Sequence, residues 1–494
     1  MSNEIKTDYD QQFILPPSLE DWVPEDHPVR FIRLFVDSMD LEALGFKERE
    51  SEEGRPNYSN ELLLKIWIYG YFERIYSTRA LEKACMIQLP LIWLTGMHYP
   101  DHNTLWRFFR KNRQVIKKVF AHSVKVALKG NLVGLVLQAV DGTKIVADAS
   151  WRRSLHLKNL KALLEKLEES LDEVFDKIDE SEEEESSDPS YKLPLKLQDK
   201  EELRKFISEG VEELSEGEKR SLKEEVEECL DELEEEDTEH LNLTDSESRM
   251  MKNGRQLDFC YNAQAVIDEK NQVIVASSVT SDEVDKHQLT GMLDEAKENT
   301  GKNSEETVSD SGYFSGEELK EAEDKKYSVL VNIPATVGNN PVGKDERFNK
   351  ENFTYDSKQD VYICPKGGKL TFEREAERKD DKVRIYRCRE AKECAFRWQC
   401  SKDRRGRSIE RGPYEDYILR QIEKQKDEKK KALLSERKKI VEPVFGWIKR
   451  NNKFSRWTFR GRESVTAQWQ LVCTTVNLKK LYGKWAEGKL EYAW

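Results

Sequence analysis

A stretch near the C-terminus carries a single acidic residue among many basic ones. Between residues 437 and 462 the chain has nine Lys or Arg residues and one acid, Glu442. This positive field favours the ionised carboxylate, and further carboxylates would be needed before a cation could bind beside it. Glu442 is therefore a candidate metal ligand held beside phosphates. The alternative is that Glu442 only neutralises neighbouring Lys and Arg side chains at helical spacing.

Two further carboxylates stand at the ends of predicted strands. The apolar run 132–140 predicts a buried strand that delivers Asp141 immediately before Gly142. The stretch 306–315 predicts a short strand with Asp310 at its tip. Because Asp-Gly commonly forms a turn, Asp141 either caps a turn or presents its carboxylate to a metal at the edge of a sheet.

Three carboxylates bordered by basic residues suit the cleavage of a phosphodiester. In-line displacement needs charge neutralisation at the attacking and leaving oxygens, which two Mg²⁺ or Mn²⁺ ions roughly 3.5 to 4 Å apart can supply. Hard divalent ions prefer oxygen ligands, so carboxylates are expected rather than Cys or His. The residue types therefore predict a two-ion site formed by Asp141, Asp310 and Glu442.

The elements around these acids predict a mixed sheet of the α/β class. Strands are expected at 258–268 and 272–280, and Asp285 is expected to cap a helix over 286–297. A further strand at 327–334 and late helices over 414–452 follow, with Pro443 starting or kinking a helix. This order fits a ribonuclease-H-like catalytic domain that is interrupted after its first strand.

The interruption, residues 158–247, is strongly acidic. Residues 161–240 hold 32 Asp or Glu against 11 Lys or Arg, whereas the whole chain has a net charge of only -13. Apolar residues recur at heptad spacing, which predicts a helical hairpin that packs on itself or pairs between subunits. The first seam is Leu160, Leu164, Leu167, Leu171, Val174 and Ile178, the second is Leu222, Val226, Cys229 and Leu233, and residues 181–190 link them.

Residues 1–128 predict a helical domain. A dense apolar helix at 62–69 is the expected core, and a second helix is expected to open at Asn103 or Thr104 and run to Lys118. Trp106 and other apolar residues of this second helix would face inward, and its basic residues would face outward. A helix pair that ends in a basic, aromatic helix is typical of DNA end-binding, although basic outer faces are also common without it. The basic residues are Arg107, Arg110, Lys111, Lys117 and Lys118.

Residues 336–412 are polar, basic and cysteine-bearing. Cys364, Cys388, Cys394 and Cys400 fall within 37 residues, and four thiolates can satisfy a tetrahedral zinc ion. Their spacing is irregular, so the alternative is a loop whose thiols are incidental. Eight cysteines in 494 residues are sparse, which favours reduced thiols or metal ligands over disulfides.

The remaining features concern the chain as a whole. Outside residues 161–240 the chain carries 71 basic and 63 acidic residues, so most of it can bind a polyanion despite the global charge. No apolar run approaches the roughly 18 residues of a membrane span, and the N-terminus has no signal-peptide pattern. We therefore expect a soluble, cytoplasmic protein with no membrane partner. Its predicted units are 1–128, 129–157, 158–247, 248–335, 336–412 and 413–494.

Four motifs together resemble those of one family. They are Asp141-Gly-Thr-Lys-Ile145, Tyr261-Asn-Ala-Gln264, Asp310-Ser-Gly-Tyr313 and Val441-Glu-Pro-Val-Phe-Gly-Trp-Ile-Lys449. With them, most of the chain resembles the DDE transposases of bacterial insertion sequences, in the group that has a helical InsH-type N-terminal domain.

The resemblance implies roles for individual residues. Asp141, Asp310 and Glu442 would be the catalytic acids and would hold two Mg²⁺ or Mn²⁺ ions. Lys449 has the family's spacing from Glu442 and would lie on the same helical face. The family often has Arg four positions before the Glu, whereas this chain has Lys438 there with Arg437 beside it, a departure that affects bidentate phosphate contact. Phosphate contacts would come from Arg437 or Lys438, Lys449 and Arg450.

The implied activity is DNA transposition. The protein would bind the terminal inverted repeats of an insertion sequence as a homodimer on double-stranded DNA, at the nucleoid. It would hydrolyse the phosphodiester at each end of the element and join the freed 3′-OH to target DNA. The alternatives are a metal-dependent nuclease of the same fold, or a catalytically inactive or domesticated DNA-binding protein.

Overall fold

A computed structural model describes residues 18–47, 57–175, 200–209, 211, 214–235, 238–334, 346–378 and 381–490. No helix in these ranges is long and apolar enough to cross a membrane. The side chains of Leu171 and Val174, together with Ile178 and the linker 181–190, lie outside the described part of the chain.

Six helices form the N-terminal part. α3 is buried almost all round, as the apolar run predicted, because its neighbours surround it. α6 is longer than the sequence predicted, and Asp101 caps it by accepting the N–H of Thr104, so Asn103 and Thr104 lie inside the helix. The helices are α1 Pro28–Asp37, α2 Leu41–Leu44, α3 Asn60–Phe72, α4 Thr78–Ile87, α5 Leu89–Thr95 and α6 His102–Lys129.

The chain then enters the first strand, β1 (Leu137–Val146), and leaves it for the acidic insertion. Within the insertion, α7 packs against α9, and α8 adds Leu203 to a separate apolar cluster with Leu160, Leu167 and Val226. A short two-stranded ladder, β2 with β3, closes the insertion at its base. The elements are β2 Ser154–His156, α7 Leu157–Phe175, α8 Lys200–Glu209, α9 Glu216–Glu235 and β3 His240–Asn242.

The central sheet is mixed. β5 runs antiparallel to β1, β4 and β6, whereas β7 runs parallel to β1 and β8 runs parallel to β7. Across the sheet the order is therefore β6–β5–β1–β7–β8, with β4 beside the first half of β5. The elements are β4 Arg249–Asn253, β5 Gln256–Asp268, β6 Ile274–Thr280, α10 Leu289–Thr300, β7 Glu306–Ser309, α11 Gly316–Asp324 and β8 Val329–Val331.

The cysteine-bearing region is a five-stranded antiparallel sheet, not an open loop. Its order is β13–β12–β11–β10–β9, and it has its own small core around Tyr362 and Tyr386. The elements are β9 Thr354–Asp356, β10 Val361–Ile363, β11 Lys369–Arg378, β12 Asp381–Cys388, α12 Arg397–Cys400 and β13 Ser408–Arg411.

The C-terminal helices complete the fold: α13 Glu415–Lys424, α14 Glu428–Gly446, a π-helical turn Trp447–Asn451, and α15 Arg462–Ala486. Pro443 lies inside α14 and neither starts nor ends it. Proline has no N–H for the carbonyl four residues earlier, and here the side-chain amide of Gln272 donates to the Lys439 carbonyl at 3.1 Å instead. α14 lies on β1 and β7, and α15 covers the edge strand β6, where Asn477 bonds both backbone groups of Ile274.

Candidate active site

Asp141 lies in the middle of β1, whereas the sequence predicted it at or near a strand end. The parallel pairing of β1 with β7 stops at Val140 and Ser309, while the antiparallel pairing with β5 continues to Val146. Asp141 and Asp310 are therefore the next residues on two neighbouring strands, at the point where they separate. The sequence placed each acid on the correct strand, and the sheet makes them neighbours.

Arg437 of α14 reaches into this point from one face of the sheet. Its Nη1 donates to Oδ2 of Asp141 at 2.7 Å, and both side chains are mostly buried. Burial raises the pKa of Asp141 to about 6, Arg437 opposes the shift, and the charges of Asp310 and Asp285 add to it. The Asp141 carboxyl therefore keeps its proton to a higher pH than an ordinary aspartate does.

Asp310 is held by the turn that follows its strand. Its Oδ1 accepts the N–H of Gly312 at 2.8 Å and caps a short 3₁₀ turn, Ser311–Tyr313. At the end of this turn the fully buried Tyr313 donates its hydroxyl to Oε1 of Gln264 on β5. The motif Asp310-Ser-Gly-Tyr313 therefore links Asp310, which follows β7, to β5 on the other side of β1.

A third aspartate belongs to the same cluster, and the sequence did not identify it. Asp285 was expected to cap a helix, but α10 begins at Leu289 after Gln288. Instead, its Oδ1 accepts hydrogen bonds from Nδ2 of Asn262 and Nε2 of Gln264, both at 2.7 Å. Lys144 Nζ lies 3.9 Å from the same oxygen.

Two glycines allow Asp285 to approach the other acids. A Cβ atom at Gly142 would lie 2.8 Å from Oδ1 of Asp285 and 2.5 Å from Nε2 of Gln264. A Cβ atom at Gly312 would lie 3.0 Å from both Oδ2 of Asp285 and Oδ1 of Asp310. These glycines belong to the Asp-Gly and Asp-Ser-Gly motifs, so the motifs have a packing reason.

The motif Tyr261-Asn-Ala-Gln264 contained the signal for Asp285. On a strand, alternate residues share a face, so Asn262 and Gln264 point together while Tyr261 points away. Asn262 and Gln264 donate to Asp285, and the hydroxyl of Tyr261 donates to Oδ1 of Asp245 at 2.7 Å. Two buried amides on one strand face imply a buried acceptor, although the sequence alone does not say which one.

Glu442 lies on α14 five residues after Arg437. Arg437 is on the face that packs against the sheet, and five helical residues turn the next side chain by roughly 140°. Glu442 is exposed, and its carboxylate makes no hydrogen bond or ion pair within the described ranges. The structure thus brings Asp141, Asp310 and Asp285 together, whereas Glu442 is exposed on the helix that carries Arg437 and makes no contact with these acids in the described ranges.

The basic residues expected to contact phosphates have different environments. Lys449 lies in the π-helical turn, and its Nζ donates to the Lys144 carbonyl at 2.8 Å. Burial lowers the pKa of Lys449. Lys438 and Arg450 are exposed. Trp457 is buried and its indole N–H donates to the Ile145 carbonyl, so it packs in the core.

The outward face of α6 is basic, as expected. Arg107, Arg110 and Lys111 are exposed. A surface cleft lined by Lys47, Arg110 and Lys111 lies beside this face. On the inner face Phe109 is fully buried, and Trp106 stacks on its ring.

The acid cluster has the donor set that a hard divalent ion requires. One further oxygen beside it, Oδ1 of Asn262, is buried without a hydrogen-bond partner in the described part of the chain, and it lies 2.8 Å from where a Cβ atom at Gly142 would be. Carboxylate, amide and hydroxyl oxygens are the ligands that Mg²⁺ and Mn²⁺ prefer. In the described ranges, Asp141, Asp285 and Asp310 do not form a group of three ligand atoms that all lie within 4.8 Å of one another.

The four cysteines predicted to bind zinc lie around one edge of the small sheet. Sγ of Cys364 accepts the backbone N–H groups of Gly368 at 3.2 Å and Lys366 at 3.4 Å. Cys388 and Cys400 pack with Phe396 against the core of this sheet, while Cys394 is exposed. No three of the sulfur atoms lie within 4.8 Å of one another, so zinc at this site stays a prediction.

Two family models match the chain. A model described as "Transposase domain (DUF772)" matches residues 17–111, which include α1, α3 and the first part of α6. A model described as "Transposase DDE domain" matches residues 363–482, which include the four cysteines, Arg437, Glu442 and Lys449.

The two matches together support an insertion-sequence DDE transposase. No curated protein and no solved structure matches it. Asp141 and Asp310 of this transposase lie outside the matched residues, so their assignment depends on the sheet geometry and on the motifs around them. Membership of the family implies a DNA substrate, phosphodiester cleavage and a dependence on divalent metal ions.

Proposed function

We propose that this transposase binds the terminal inverted repeats of its insertion sequence, cleaves the DNA at their ends and transfers the 3′-OH to target DNA. The observation that carries the proposal is the meeting of Asp141 and Asp310 on adjacent strands, beside Asp285 and opposite Arg437. Acids on separate strands at one sheet position, next to a buried guanidinium, suit phosphoryl transfer better than they suit structural support.

The arrangement of the sheet supports a ribonuclease-H-like catalytic domain. Three antiparallel strands, β6, β5 and β1, are followed by two parallel strands, β7 and β8. In this arrangement the first acid stands on the central strand and the second follows the adjacent parallel strand. The insertions at 158–247 and 336–412 leave the order of these five strands unchanged.

Asp141 and Asp310 would hold two Mg²⁺ or Mn²⁺ ions, with Glu442 completing the set from α14. When bound, the ions would neutralise charge on the attacking and leaving oxygens. Asp285 is held by two side-chain amides, so it would orient ligands without large movement. Glu442 is exposed and unpaired within the described ranges, so it is available to turn towards the site when DNA arrives.

Arg437 would change partner during the reaction. Arg437 neutralises the charge of Asp141 in the structure, and a cation bound to that carboxylate would neutralise the charge in place of Arg437. The freed guanidinium lies close enough to contact a phosphate of the scissile strand, where its planar fork is more effective than an ammonium group. Lys438, Lys449 and Arg450 would hold neighbouring phosphates.

The basic face of α6 would bind the end of the element. Arg107, Arg110 and Lys111 are exposed on one side of a helix whose other side is anchored in the core. Contacts of this kind position a duplex and weaken with salt. A homodimer on DNA would bring two ends together, as joining both ends to one target requires.

The direct test is cleavage and joining of a labelled inverted-repeat end in Mg²⁺. We expect Asp141→Asn, Asp310→Asn and Glu442→Gln each to abolish cleavage while binding of the labelled end persists in a gel-shift assay. Glu436→Gln is the matched control, since Glu436 lies on the same helix and pairs only with Lys439. Cleavage retained in any one acid variant would remove that residue from the centre.

The same assay separates the competing functions. Joined products indicate a transposase, nicks without joining indicate a nuclease, and a shifted band without cleavage by the native chain indicates a binding protein. Arg107→Ala with Arg110→Ala should weaken end-binding and reduce its salt dependence without altering cleavage of DNA at saturating concentration.

We further propose that Cys364, Cys388, Cys394 and Cys400 bind a structural zinc ion. The core cluster of the small sheet contains six buried residues in the described ranges, and units of this size commonly need a metal or disulfides to fold. The two N–H groups aimed at Cys364 would stabilise a thiolate there. Zinc binding would require the sulfur atoms to move closer together than they lie in the structure.

Metal analysis of purified protein tests this proposal. The native protein should contain one zinc ion per chain more than Cys364→Ser, and hydrogen exchange within residues 346–412 should be faster in this variant. Cys85→Ser is a matched control, because Cys85 is buried in the N-terminal core. Equal zinc content in both variants would refute the cysteine site.

A further inference from the structure

The ladder β2–β3 stands at the neck of the acidic insertion, where the chain enters and leaves it. In this ladder Leu155 is opposite Leu241 and His156 is opposite His240. The two leucines are buried in the core of the insertion. Because side chains alternate along a strand, the two histidines share the other face.

The histidines form a compact group with one carboxylate. Their ring centroids lie 4.5 Å apart at an interplanar angle of 84°. One ligand atom from each of His156, His240 and Glu239 lies within 4.8 Å of the other two, and this is the one such group of His, Cys, Asp or Glu residues in the described ranges. The N–H of Leu157 donates to the Glu239 carbonyl at 2.9 Å, so the ladder continues beside the group and fixes its backbone.

We propose that His156, His240 and Glu239 bind one divalent transition-metal ion of the Zn²⁺, Co²⁺ or Ni²⁺ class. Imidazole nitrogen favours these borderline ions over Mg²⁺, which prefers oxygen ligands. Two histidines and a carboxylate are a common zinc ligand set, with water in the remaining positions. The site is thus chemically different from both the aspartate cluster and the cysteines.

The surroundings of the neck favour a bound cation. Residues 161–240 carry 32 acidic and 11 basic residues, so their field concentrates cations near the base of the insertion. The two histidines are more than 80 residues apart in sequence but opposite in space. An ion that joins them closes a long loop, which opposes opening of the neck.

One contact limits the affinity. The backbone N–H of Lys158 donates to Nδ1 of His156 at 3.0 Å. A neutral imidazole has a single lone pair, so an ion bound to His156 gives up this hydrogen bond. We therefore expect reversible binding that responds to the metal supply.

Cobalt titration of the full-length, chelator-treated protein in excess Mg²⁺ tests the site. Mg²⁺ occupies oxygen-rich sites, and any Co²⁺ at the cysteines is recognised by its thiolate charge-transfer band. We expect calorimetry to show one Co²⁺ site that is lost in His156→Gln and in His240→Gln, while the thiolate band is unchanged. Glu239→Gln should weaken this site by about tenfold or more.

His98→Gln is the matched control, because His98 is an exposed histidine far from the ladder in sequence. It should bind Co²⁺ as the native chain does. Equal Co²⁺ stoichiometry in the native chain and in both ladder variants would overturn the proposal. Circular dichroism spectra that match the native spectrum would show that the variants remain folded.

Limited proteolysis tests the effect of the ion on the neck. Zn²⁺ or Co²⁺ should slow cleavage within residues 157–239 of the native chain by severalfold, and it should have no effect on His156→Gln. Cleavage that is equally fast with and without the ion would overturn the clamping role. Because none of these measurements requires DNA, failure here is distinguishable from failure of the transposase proposal.

Discussion

Asp141 and Arg437 share a pocket from which water is largely excluded. The ion pair is 2.7 Å long, yet burial still raises the pKa of Asp141 to about 6. The attraction of Asp141 to one guanidinium therefore does not offset the free-energy cost of desolvating its carboxylate, which also lies beside two other acids. A bound cation would stabilise the ionised Asp141 carboxylate, and this free energy would favour the binding of metal and DNA.

The pH dependence of cleavage follows from this carboxyl. Metal binding needs ionised Asp141, so the rate at fixed Mg²⁺ should rise with pH through about 6 and level off above it. Raising the Mg²⁺ concentration should shift the midpoint to lower pH, because the ion competes with the proton. Single-turnover cleavage between pH 5 and 8 measures both effects. A rate that is flat from pH 5 upwards would contradict this assignment.

Stability in the absence of metal should change with pH in the opposite sense. The pKa of Asp141 is raised in the folded chain, so its protonation favours folding below its ordinary value of 3.8, and this contribution is lost as pH rises through about 6. Asp141→Asn should therefore stabilise the metal-free protein at pH 8, by up to about 3 kcal/mol. The difference should vanish near pH 4. Thermal melts in chelator at both pH values measure it.

Asp285 offers a sharper test of the cluster, since the sequence did not single it out. Asp285→Asn keeps the shape but places an amide opposite the amides of Asn262 and Gln264. We expect cleavage to fall by about 100-fold, or roughly 2.7 kcal/mol, with end-binding unchanged. Asp282→Asn is the control, because Asp282 accepts from Thr280 and Gln288 at the surface. Native cleavage by Asp285→Asn would exclude Asp285 from the centre.

The sequence predicted the residue types of the site better than it predicted which residues lie next to one another. Asp141 was recognisable because it follows an apolar run and precedes glycine, and Asp310 because it ends a short predicted strand and precedes Ser311-Gly312. Asp285 was not, because an acid before a helical stretch resembles a cap. Its role depends on β5 delivering two amides from over twenty residues away in sequence, and no local pattern contains that information.

Helix α14 differs from its prediction because of a tertiary contact. Pro443 was predicted to start or kink a helix, yet α14 begins 15 residues earlier and continues through the proline, where Gln272 binds the carbonyl that the proline leaves without a donor. Gln272 lies in the turn between β5 and β6, so only the tertiary structure shows that it supplies the missing donor. The positions of β5, β6, β7 and β8 along the chain were predictable, because turn residues bound each of these segments, but β4 was not predicted.

The acidic insertion should be removable as a unit. Its apolar cluster is separate from the main core, and its two ends meet at the pair His156 and His240. Replacing residues 157–239 with Asn-Gly should give a two-residue hairpin. Leu155 and Leu241 then lose their cover, so both are changed to Thr.

The shortened chain should remain soluble and melt cooperatively within about 5 °C of the native protein, a shift worth roughly 1 kcal/mol or less. Calorimetry and analytical gel filtration measure this. The native chain with Leu155→Thr and Leu241→Thr is the control for the two leucines. Aggregation of the shortened chain would show that the catalytic sheet needs the insertion.

At the scale of the whole molecule, the N-terminal helices and the catalytic sheet share one core. Phe459 packs among Trp67, Trp106 and Phe109, and Gln468 of α15 donates to the hydroxyl of Tyr71 at 2.7 Å. The sequence predicted residues 1–128 as a unit by composition. The contacts that join it to α15 link residues more than 340 positions apart, so composition gave no sign of them.

This shared core predicts that residues 129–494 will not fold alone. Removing α1 to α6 would uncover the face of α15 that packs on α6 and α3, together with Phe459, which precedes α15 and is 8% exposed. Each large aromatic or aliphatic side chain left in water costs about 1.5–3 kcal/mol, so uncovering several exceeds the 5–15 kcal/mol that keeps an ordinary domain folded. We expect the fragment to be insoluble or to lack fixed aromatic packing, as measured by near-ultraviolet circular dichroism.

Co-expression of residues 1–128 as a separate chain is the informative control, because it restores the missing surface without a covalent link. Soluble complex and renewed cleavage of inverted-repeat DNA are the expected results. If the fragment folded unaided and cleaved DNA, the N-terminal helices would be an independent DNA-binding module. Because they are joined to the catalytic sheet through α15, we expect instead that binding an end through α6 and cleaving it at Asp141 are mechanically coupled in this transposase.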